Sequence, residues 1–409
     1  MMMYIEKKTY EIECLSPVHV GNGRTLKAFE YLYDRKAQKV YFVDEGKWIA
    51  FLYRHKLIDD FSEYIRVISA AMGRKGPFRG EHVWEWLLKR GIPSAELQTL
   101  SATVSDVTTN NKLLDRGSLN DIARNVVTVD GMPYIPGSSI KGALRTGILY
   151  HVIKYEAKRY RKYWNELAHV MSTSCSAKDV KKTARKVAAD IEKDVFQKLK
   201  ISSDYKIPAA VQDSMRGLIV SDAHCIQQDH ESVIVQKLDG TAKENKRNGQ
   251  ESALPIFREC IRPGTRLRCV ISLDKRMMQE IGIFSIHDAL EMTKEFIQDG
   301  IQMQKQVFGH TYEMEFAMAE DANIILGGGT GFLTKSILYA LAPSAKEGRE
   351  ITAKYLDLAF PGRGREKHRS AHEHVRYDRN LSPRTVKLAR VGMDTSIMGL
   401  CYMHEVESC

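Results

Sequence analysis

The order of strand-like and helix-like segments constrains the fold of this chain more than any other feature of its sequence. Alternating apolar residues or short apolar runs predict strands over residues 4–15, 39–43, 218–222 and 266–273. Helical spacing predicts helices over residues 46–72, 81–91, 138–163, 177–199 and 286–306, whereas 94–132 is mixed. Helices are therefore inserted after the first strands, and the order then continues as helix, strand, strand, helix and a glycine-rich turn. This order supports the α+β class.

The glycine-rich turn is the first candidate binding site. Apolar residues 324–326 lead into four glycines among five residues. Glycine lacks a Cβ atom, so the backbone N–H groups of such a turn can approach a phosphate closely. The competing interpretation is an ordinary turn. The phosphate contacts that we predict here are Gly327, Gly328, Gly329, Thr330, Gly331 and Lys335.

A second candidate anion site lies at the start of the helix predicted from residue 138. A Pro-Gly pair turns the chain there, and we expect Ser138 or Ser139 to cap the helix. Lys141 and Arg145 are four residues apart, so they share one helix face near the unpaired N–H groups of the helix start. The alternative is a solvated basic face.

Two familiar nucleotide-binding motifs do not fit the chain. A P-loop requires lysine directly after its last glycine, but three residues separate Gly331 from Lys335. A Gly-Asn-Gly turn at residues 21–23 follows a strand, but Leu26 occupies the position of the third glycine in a dinucleotide-binding fingerprint. Neither a P-loop nor a dinucleotide-binding fold is therefore expected.

The charge distribution favours an anionic partner. The chain has 409 residues and a formal charge of +10, and residues 361–390 hold nine basic side chains against three acidic ones. A solvated basic loop is one explanation of this segment, and contact with RNA phosphates is the other. The RNA-contacting residues that we predict within it are Arg363, Arg365, Arg384 and Lys387.

Composition narrows the class of protein further. Hydrophobic residues make up 43% of the chain, which is ordinary for a folded soluble domain. The seven cysteines are scattered without a Cys-x-x-Cys pair, so a disulfide framework is not expected. There is no signal region and no membrane-length apolar run, so we expect a cytoplasmic location. Three histidines within 368–374 have no cysteine or acidic cluster around them, so no metal or other cofactor is expected.

Seven sequence blocks follow one another along the chain, at residues 15–23, 134–145, 218–222, 258–265, 326–335, 382–387 and 398–401. In this order they resemble the RAMP superfamily of CRISPR proteins, and most closely the Csm-type effector subunit that caps the 3′ end of the guide RNA. The resemblance implies a ferredoxin-like (RRM-like) core over 1–340, with helical insertions at about 46–132 and 153–213. It also implies a basic region over 341–409 that could form part of a second RRM-like subdomain.

The function implied by the resemblance is that of a non-catalytic RNA-binding subunit of a type III-A (Csm) effector complex, acting in guide maturation and antiviral defence. Its expected partners are the guide RNA (crRNA), single-stranded target RNA, the other Csm subunits, above all the neighbouring RAMP backbone subunit, and host nucleases that trim the guide. His19, Gly21 and Gly23 would then lie beside bound RNA. Further cations lie in the loop between the second and third core strands. In sibling subunits this loop forms a mobile hairpin that reaches toward RNA, and an ordinary flexible loop is the alternative. The cations of this region here are Lys237, Lys243, Lys246 and Arg247.

Two alternative functions stay open from sequence. A metal-independent guide-processing endoribonuclease could use His19 as a general acid or base, although the sequence offers no evident second catalytic partner, and His19 could simply pack. The repeated backbone subunit of the same complexes is the other alternative. That subunit is usually shorter and lacks the long helical insertions and the basic tail found here.

Overall fold

The chain folds into two β-sheets flanked by α-helices, and the computed structural model describes it over residues 4–72, 81–108, 119, 121–173, 176–200, 208–227, 232–242, 252–362, 370 and 372–407. The strands within these residues are β1 (Ile5–Cys14), β2 (Gly21–Leu26), β3 (Leu32–Asp34), β4 (Lys39–Val43), β5 (Ser101–Val107), β6 (Ile122–Asn125), β7 (Tyr134–Ile135), β8 (Leu218–Val220), β9 (Ala223–Cys225), β10 (Ser232–Thr241), β11 (Ser252–Ile261), β12 (Arg266–Asp274), β13 (Ile324–Ile325), β14 (Thr385–Val391), β15 (Asp394–Ile397) and β16 (Leu400–Val406).

Each segment predicted as helical contains a helix with shifted boundaries, but the structure also has helices that were not predicted, the longest of them at Ala345–Ala359. The helices are α1 (Glu45–Arg54), α2 (Ile58–Met72), α3 (Val83–Leu88), α4 (Ser94–Thr99), α5 (Gly137–Tyr155), α6 (Ala157–Thr173), α7 (Ala177–Phe196), α8 (Lys275–Met278), α9 (Ile286–Phe308), α10 (Glu313–Glu320), α11 (Leu338–Leu341), α12 (Ala345–Ala359) and α13 (His374–Tyr377). Throughout the described ranges, every helix is too short or too polar to span a membrane.

The first sheet has the strand order β13-β16-β1-β12-β9-β7, and β8 also pairs with β12. Along the chain its elements run β1, α5, β8 with β9, β12, α9 and β13, which is the βαββαβ order of a ferredoxin-like fold. β16 returns from the C-terminal part of the chain and lies between β1 and β13. The predicted α+β fold with a ferredoxin-like core is therefore confirmed.

One hydrophobic core joins this sheet to α5 and α9. Ile12 of β1, Leu144 of α5 and Ile286 of α9 are fully buried in the same cluster. Burial of each such side chain contributes about 2 kcal/mol, so the cluster holds both helices on the sheet. Gly147 lets the two helices approach closely, because a Cβ atom there would lie 2.4 Å from the Cα atom of Thr293.

The helical insertions pack in two places. α6 and α7 extend the core of the first sheet, where Trp164 and Ile191 are buried. The single helix predicted over 138–163 is wrong in one respect, because the α-helical backbone is interrupted at Glu156 between α5 and α6. Helices α1 to α4 surround a separate aromatic cluster that includes Trp84 and Trp86. The predicted helical insertion over 46–132 also contains β5 and β6, so it is only partly helical.

The second sheet draws its strands from three parts of the chain. Its order is β2-β6-β11-β10-β5-β4-β3, with β14 paired to β10 and β15 paired to β14. Lys237, which was expected in a loop, lies on β10, because the segment around it forms one strand of the β10–β11 hairpin. Residues 341–409 contribute strands to both sheets, so the expected boundary at residue 340 does not separate one sheet from the other.

Candidate nucleic-acid interface

Four segments that are separated in sequence meet at one cleft of about 330 Å³. Its walls come from the turn after Val20, the first turns of α5, the middle of α9 and the loop after β13. The predicted contact residues among its lining are Gly21, Ser138, Ser139, Gly327, Gly328 and Lys335. The structure therefore brings together two binding segments that the sequence suggested separately.

The glycine loop, residues 327–331, has a backbone that requires glycine. Gly327, Gly329 and Gly331 have φ angles of +81°, +85° and +106°. A Cβ atom at Gly327 would lie 2.3 Å from the backbone oxygen of His19, and the amide of Gly328 donates to that oxygen at 2.7 Å. One predicted phosphate-binding amide is thus already used inside the protein. In the part of the chain that the structure describes, the amides of Gly329 and Gly331 donate to no protein group.

Two further predicted contacts brace the glycine loop. The buried hydroxyl of Thr330 shares a hydrogen bond of 2.9 Å with the hydroxyl of Thr334. The ammonium of Lys335 donates to the carbonyl oxygen of Gly327 at 2.7 Å. Burial, and then the positive charge of Arg258, lower the pKa of Lys335. An anion in the cleft would relieve this repulsion between the two cations.

His19 links the glycine loop to the second sheet. Its side chain is buried, and its Nδ1 atom lies 2.7 Å from the backbone oxygen of Glu259. Burial is the largest effect lowering the pKa of His19, and Arg258 adds to it, so the neutral form is favoured. A carbonyl oxygen only accepts hydrogen bonds, so Nδ1 carries the hydrogen and Nε2 is left as an acceptor facing Gly21. The ring is thereby held in one orientation beside the glycine loop.

The buried carboxylate of Glu259 holds the neighbouring strands in place. It accepts hydrogen bonds from Arg124 Nε at 2.7 Å, from the amide of Asn125 at 2.9 Å and from the hydroxyl of Ser232 at 2.9 Å. The side-chain oxygen of Asn125 in turn accepts from the amide of Val20 at 2.7 Å. The segment that carries His19 and Gly21 is therefore fixed from both sides before any ligand binds.

Arg258 is the residue of this site that sequence reasoning missed. It lies on β11, and Cβ atoms built at Gly328 and Gly329 would lie 3.4 Å from its guanidinium. Among the described residues it has no carboxylate within salt-bridge distance, and its Nε is buried without a hydrogen-bond partner. A guanidinium left in this state beside a glycine loop is suited to binding a phosphate. The signal available in the sequence was its place within the block at 258–265.

The start of α5 differs from the expectation. The predicted cap at Ser138 or Ser139 is wrong, because the helix begins at Gly137 after Pro136 and neither serine caps it. Instead, the carboxylate of Asp222 accepts a hydrogen bond from the amide of Gly137 at 2.7 Å. A loop after β8 thus supplies the cap, and both serines line the cleft.

The two basic residues of α5 are engaged within the protein. Lys141 donates to the backbone oxygen of Leu218 at 2.7 Å, and burial lowers its pKa. Arg145 lies 3.0 Å from a carboxylate oxygen of Glu192 and 2.9 Å from one of Asp213. The free cationic face expected here is not what the structure shows. RNA contact by these two residues stays a prediction, and it is the one that the geometry supports least.

The remaining predicted contacts fall into three groups. Gly23 has a φ angle of +85° and open space around its Cα atom. Arg384 and Lys387 form ion pairs of 2.8 Å with Asp378 and Asp239. The predicted residues that lie outside the described ranges are Lys243, Lys246, Arg247, Arg363 and Arg365.

The titratable groups of the described residues do not form a metal site. No three His, Cys, Asp or Glu side chains converge there in a way that could hold a metal ion. His374, one of the three clustered histidines, instead contacts the carboxylate of Asp378 at 2.8 Å. The described residues that line the cleft offer hydrogen-bonding groups and the ammonium of Lys335.

Comparison with protein families identifies the class. The sequence model of the RAMP superfamily matches residues 11–331, which is most of the chain. The chain belongs to the RAMP superfamily.

Comparison with individual proteins shows which members of the superfamily this chain is similar to. The protein named CRISPR system Cms protein Csm5 from Streptococcus thermophilus is 24% identical over 332 residues, covering 79% of this chain and 78% of the relative. The protein of the same name from Mycobacterium tuberculosis is 23% identical over 423 residues, covering 98% and 96%. The resemblance to Csm-type RAMP proteins inferred from the sequence blocks is therefore confirmed.

Two solved structures share the fold. A chain from a cryo-EM structure of a Csm-crRNA-target RNA ternary complex of a type III-A CRISPR-Cas system aligns with a TM-score of 0.61 and 19% identity, covering 98% of this chain and 100% of that one. The crystal structure of T. onnurineus Csm5 aligns with a TM-score of 0.53 and 20% identity, covering 80% and 93%.

Proposed function

We propose that this chain is an RNA-binding subunit of a type III-A CRISPR (Csm) effector complex, where it holds the 3′ end of the guide RNA without cutting it. The observation that carries the proposal is the cleft that joins the Gly21 turn, the start of α5 and the glycine loop beside Arg258. The names of the relatives and the RNA complex that contains a structural neighbour support the choice of system.

The glycine loop, part of which lines the cleft, and Arg258 beside the loop carry groups that suit a phosphodiester backbone. The free amides of Gly329 and Gly331 and the guanidinium of Arg258 are donors without protein acceptors among the described residues. They would contact phosphate oxygens, which every nucleotide carries, and would therefore hold RNA of any sequence. Binding that ignores base identity is what a guide with a variable spacer requires. The choice of the 3′ end rests on the likeness to Csm-type subunits.

The non-catalytic part of the proposal rests on the position of His19. Its Nδ1 donates to the backbone of Glu259, and its own carbonyl holds Gly328. The side-chain contact gives this histidine a part in the shape of the loop, whereas the carbonyl contact could be made by any residue. A general acid or base contributes about 10²- to 10⁴-fold in rate, so an enzyme that used His19 would be easy to detect.

The capping role is tested by co-expressing the chain with the other subunits and sequencing the ends of the RNA that co-purifies. We expect a sharp 3′ boundary with the wild-type chain and a spread of 3′ ends with Gly328→Val. An identical boundary in complexes that lack this chain would contradict the proposal.

The absence of catalysis needs a separate test on the pure chain. We expect purified wild-type protein to leave single-stranded repeat RNA intact in the presence of EDTA, and His19→Ala to behave in the same way. Metal-free cleavage at one site, abolished by His19→Ala with RNA affinity retained, would establish the endoribonuclease alternative instead.

A further inference from the structure

One face of the second sheet carries a row of cations next to the glycine loop. Arg258 of β11 is paired with Val235 of β10, and Val235 packs in one buried cluster with Ala389 of β14, which is paired with Lys237. Lys237 therefore lies on the same face as Arg258. Asp239, two residues further on, is paired with Lys387 of β14. Residues directly opposite each other in a sheet point to the same side, so the three cations share one face. We call this surface the Arg258–Lys387 face.

The glycine loop lies across this face. Cβ atoms built at Gly328 and Gly329 would lie 3.4 Å from the Arg258 guanidinium, and one at Gly331 would lie 3.3 Å from Cγ of Lys387. The loop therefore extends from β11 to β14 over the sheet. An RNA backbone bound at the glycine loop would therefore lie directly beside this row of cations.

The positive charge of the face is only partly balanced by protein groups. Asp239 pairs with Lys387 at 2.8 Å and with Lys237 at 3.7 Å. Arg258 has no acidic partner within the described residues. Lys237 is also largely desolvated, and burial, followed by the charges of Lys387 and Arg258, lowers its pKa. Asp239 thus pairs with two of the three cations, and among the described residues the remaining positive charge lies in a half-buried place without an acidic partner.

We propose that the Arg258–Lys387 face is a second phosphate subsite, which binds the single-stranded RNA backbone where it leaves the glycine-loop cleft. This inference rests on the proposed function, because it extends the RNA from the same site. Arg258 lies at the junction and contacts both parts. Lys237 provides the second cation, and Asp239 limits the affinity by neutralising Lys387.

Two substitutions on β10, which remove charges of opposite sign, test this subsite. Lys237→Gln removes a cation, whereas Asp239→Asn removes the carboxylate that competes with phosphate. The measurement is fluorescence anisotropy of a labelled single-stranded polyuridine oligonucleotide with the full chain over a range of salt concentrations. For Lys237→Gln we expect the log–log salt slope to become shallower by about 0.7, the value for one phosphate contact on a single strand. For Asp239→Asn we expect a slope that is steeper by a similar amount and an affinity that is about two- to fivefold higher.

The matched control is the exposed ion pair between Lys186 of α7 and Glu166 of α6, whose charged atoms are 2.8 Å apart. Lys186→Gln and Glu166→Gln change the net charge of the chain by the same amounts as the two test substitutions. We expect neither to alter the salt slope. A purely structural role of the Arg258–Lys387 face would weaken binding in both test variants, so tighter binding by Asp239→Asn separates the two explanations.

The outcomes also separate this inference from the proposed function. Suppose that wild-type protein binds RNA and Gly328→Val weakens binding, but Lys237→Gln and Asp239→Asn keep the wild-type salt slope. The proposal of a second subsite is then wrong, and the cleft remains the proposed RNA-binding site. If the wild-type chain does not bind RNA, the proposed function itself fails. If both test variants bind RNA normally, but Lys237→Gln recovers less and Asp239→Asn recovers more of the neighbouring subunit on co-purification, the face binds an acidic protein surface, and the RNA subsite is overturned.

Discussion

At the scale of single residues, two adjacent glycines of the loop are expected to respond differently to substitution. Gly327 has a positive φ, and a Cβ atom there would lie 2.3 Å from the backbone oxygen of His19. A Cβ atom at Gly328 would have ordinary contacts of 3.4 Å or more, and its nearest neighbour would be the guanidinium end of Arg258. One position is therefore required by the backbone, while the other is open toward the site.

For Gly328→Val we expect RNA affinity to fall about tenfold, because the side chain blocks donors whose hydrogen bonds to a charged group are worth about 1.5 kcal/mol. The free energy of unfolding in urea should change little. Gly327→Ala is the matched comparison, and it should cost at least about 1–2 kcal/mol of stability through its left-handed backbone alone. A folded Gly328→Val protein with wild-type RNA affinity would remove the loop from the binding site.

His19 gives a residue-scale prediction about pH. Burial lowers its pKa below the ordinary value of 6.5, so the unfolded chain binds this proton more readily than the folded chain does. The stability associated with neutral His19 is fully present above about pH 6.5 and is lost as the pH falls toward the folded-state pKa. Buried His82, whose pKa is lowered to about 4, acts in the same direction.

His19→Asn isolates the contribution of this one side chain, because asparagine can keep a donor near Glu259 but does not titrate. We expect the loss of unfolding free energy between about pH 7.5 and 5.5 to be smaller in His19→Asn than in the wild type. The measurement is urea unfolding at both pH values. An equal loss in the two proteins would mean that His19 is already free to protonate in the folded chain.

The candidate site was only partly predictable from its residues. Glycines that share a short segment are visible in any sequence, and their predicted segment lies at the cleft. Arg258 was overlooked because the sequence does not show whether a single arginine in a strand pairs with a carboxylate or lacks an acidic partner. Lys141 and Arg145 show the reverse case, since their acceptors come from Leu218, Glu192 and Asp213, which helical spacing cannot reveal.

At the scale of elements, Arg145 joins α5 to α7. Its guanidinium pairs with Glu192 and lies 3.9 Å from the ring centre of Phe196, both on α7. It also pairs with Asp213, which caps the short helical turn before β8. This one side chain therefore connects the core helix to the second helical insertion.

We expect Arg145→Ala to lower the free energy of unfolding by about 1–2 kcal/mol, which combines a partly buried cation–π contact with partly exposed ion pairs. The salt slope of RNA binding should stay unchanged, because the cation already has protein partners. Lys186→Ala on α7 serves as the control and should cost almost nothing. A shallower salt slope with intact stability would return Arg145 to the RNA-binding surface.

Some elements with a clear hydrophobic period in their own sequence were predicted well. The strand predicted over 4–15 is β1, and the helix predicted over 286–306 is α9. Periodicity did not assign strands within 94–132, because β5 and β6 depend on pairing with strands from other parts of the chain: β5 lies between β4 and β10, and β6 lies between β2 and β11. For the same reason, Lys237 was placed in a loop although it lies on β10.

At the scale of the whole molecule, the C-terminal region completes both sheets. β16 pairs with β1 on one side and with β13 on the other, and its Cys401 and Met403 are buried in the core. β14 and β15 extend the second sheet beyond β10. Sequence blocks near the end were visible, but periodicity could not show that the last strand lies between the first and fourth strands of the core, because that pairing joins the two ends of the chain.

A chain that ends at residue 340 is therefore expected not to fold as a stable unit. It would lack β16, and β1 and β13 would lose their shared partner along with its backbone hydrogen bonds and buried side chains. We expect such a chain to be aggregated or to lack a cooperative urea transition, and added peptide 385–407 to restore solubility only in part. The intact chain should unfold with a single transition in the same buffer. A cooperative transition of the 1–340 chain on its own would instead show that the core and the C-terminal region are separate domains, as the sequence first suggested.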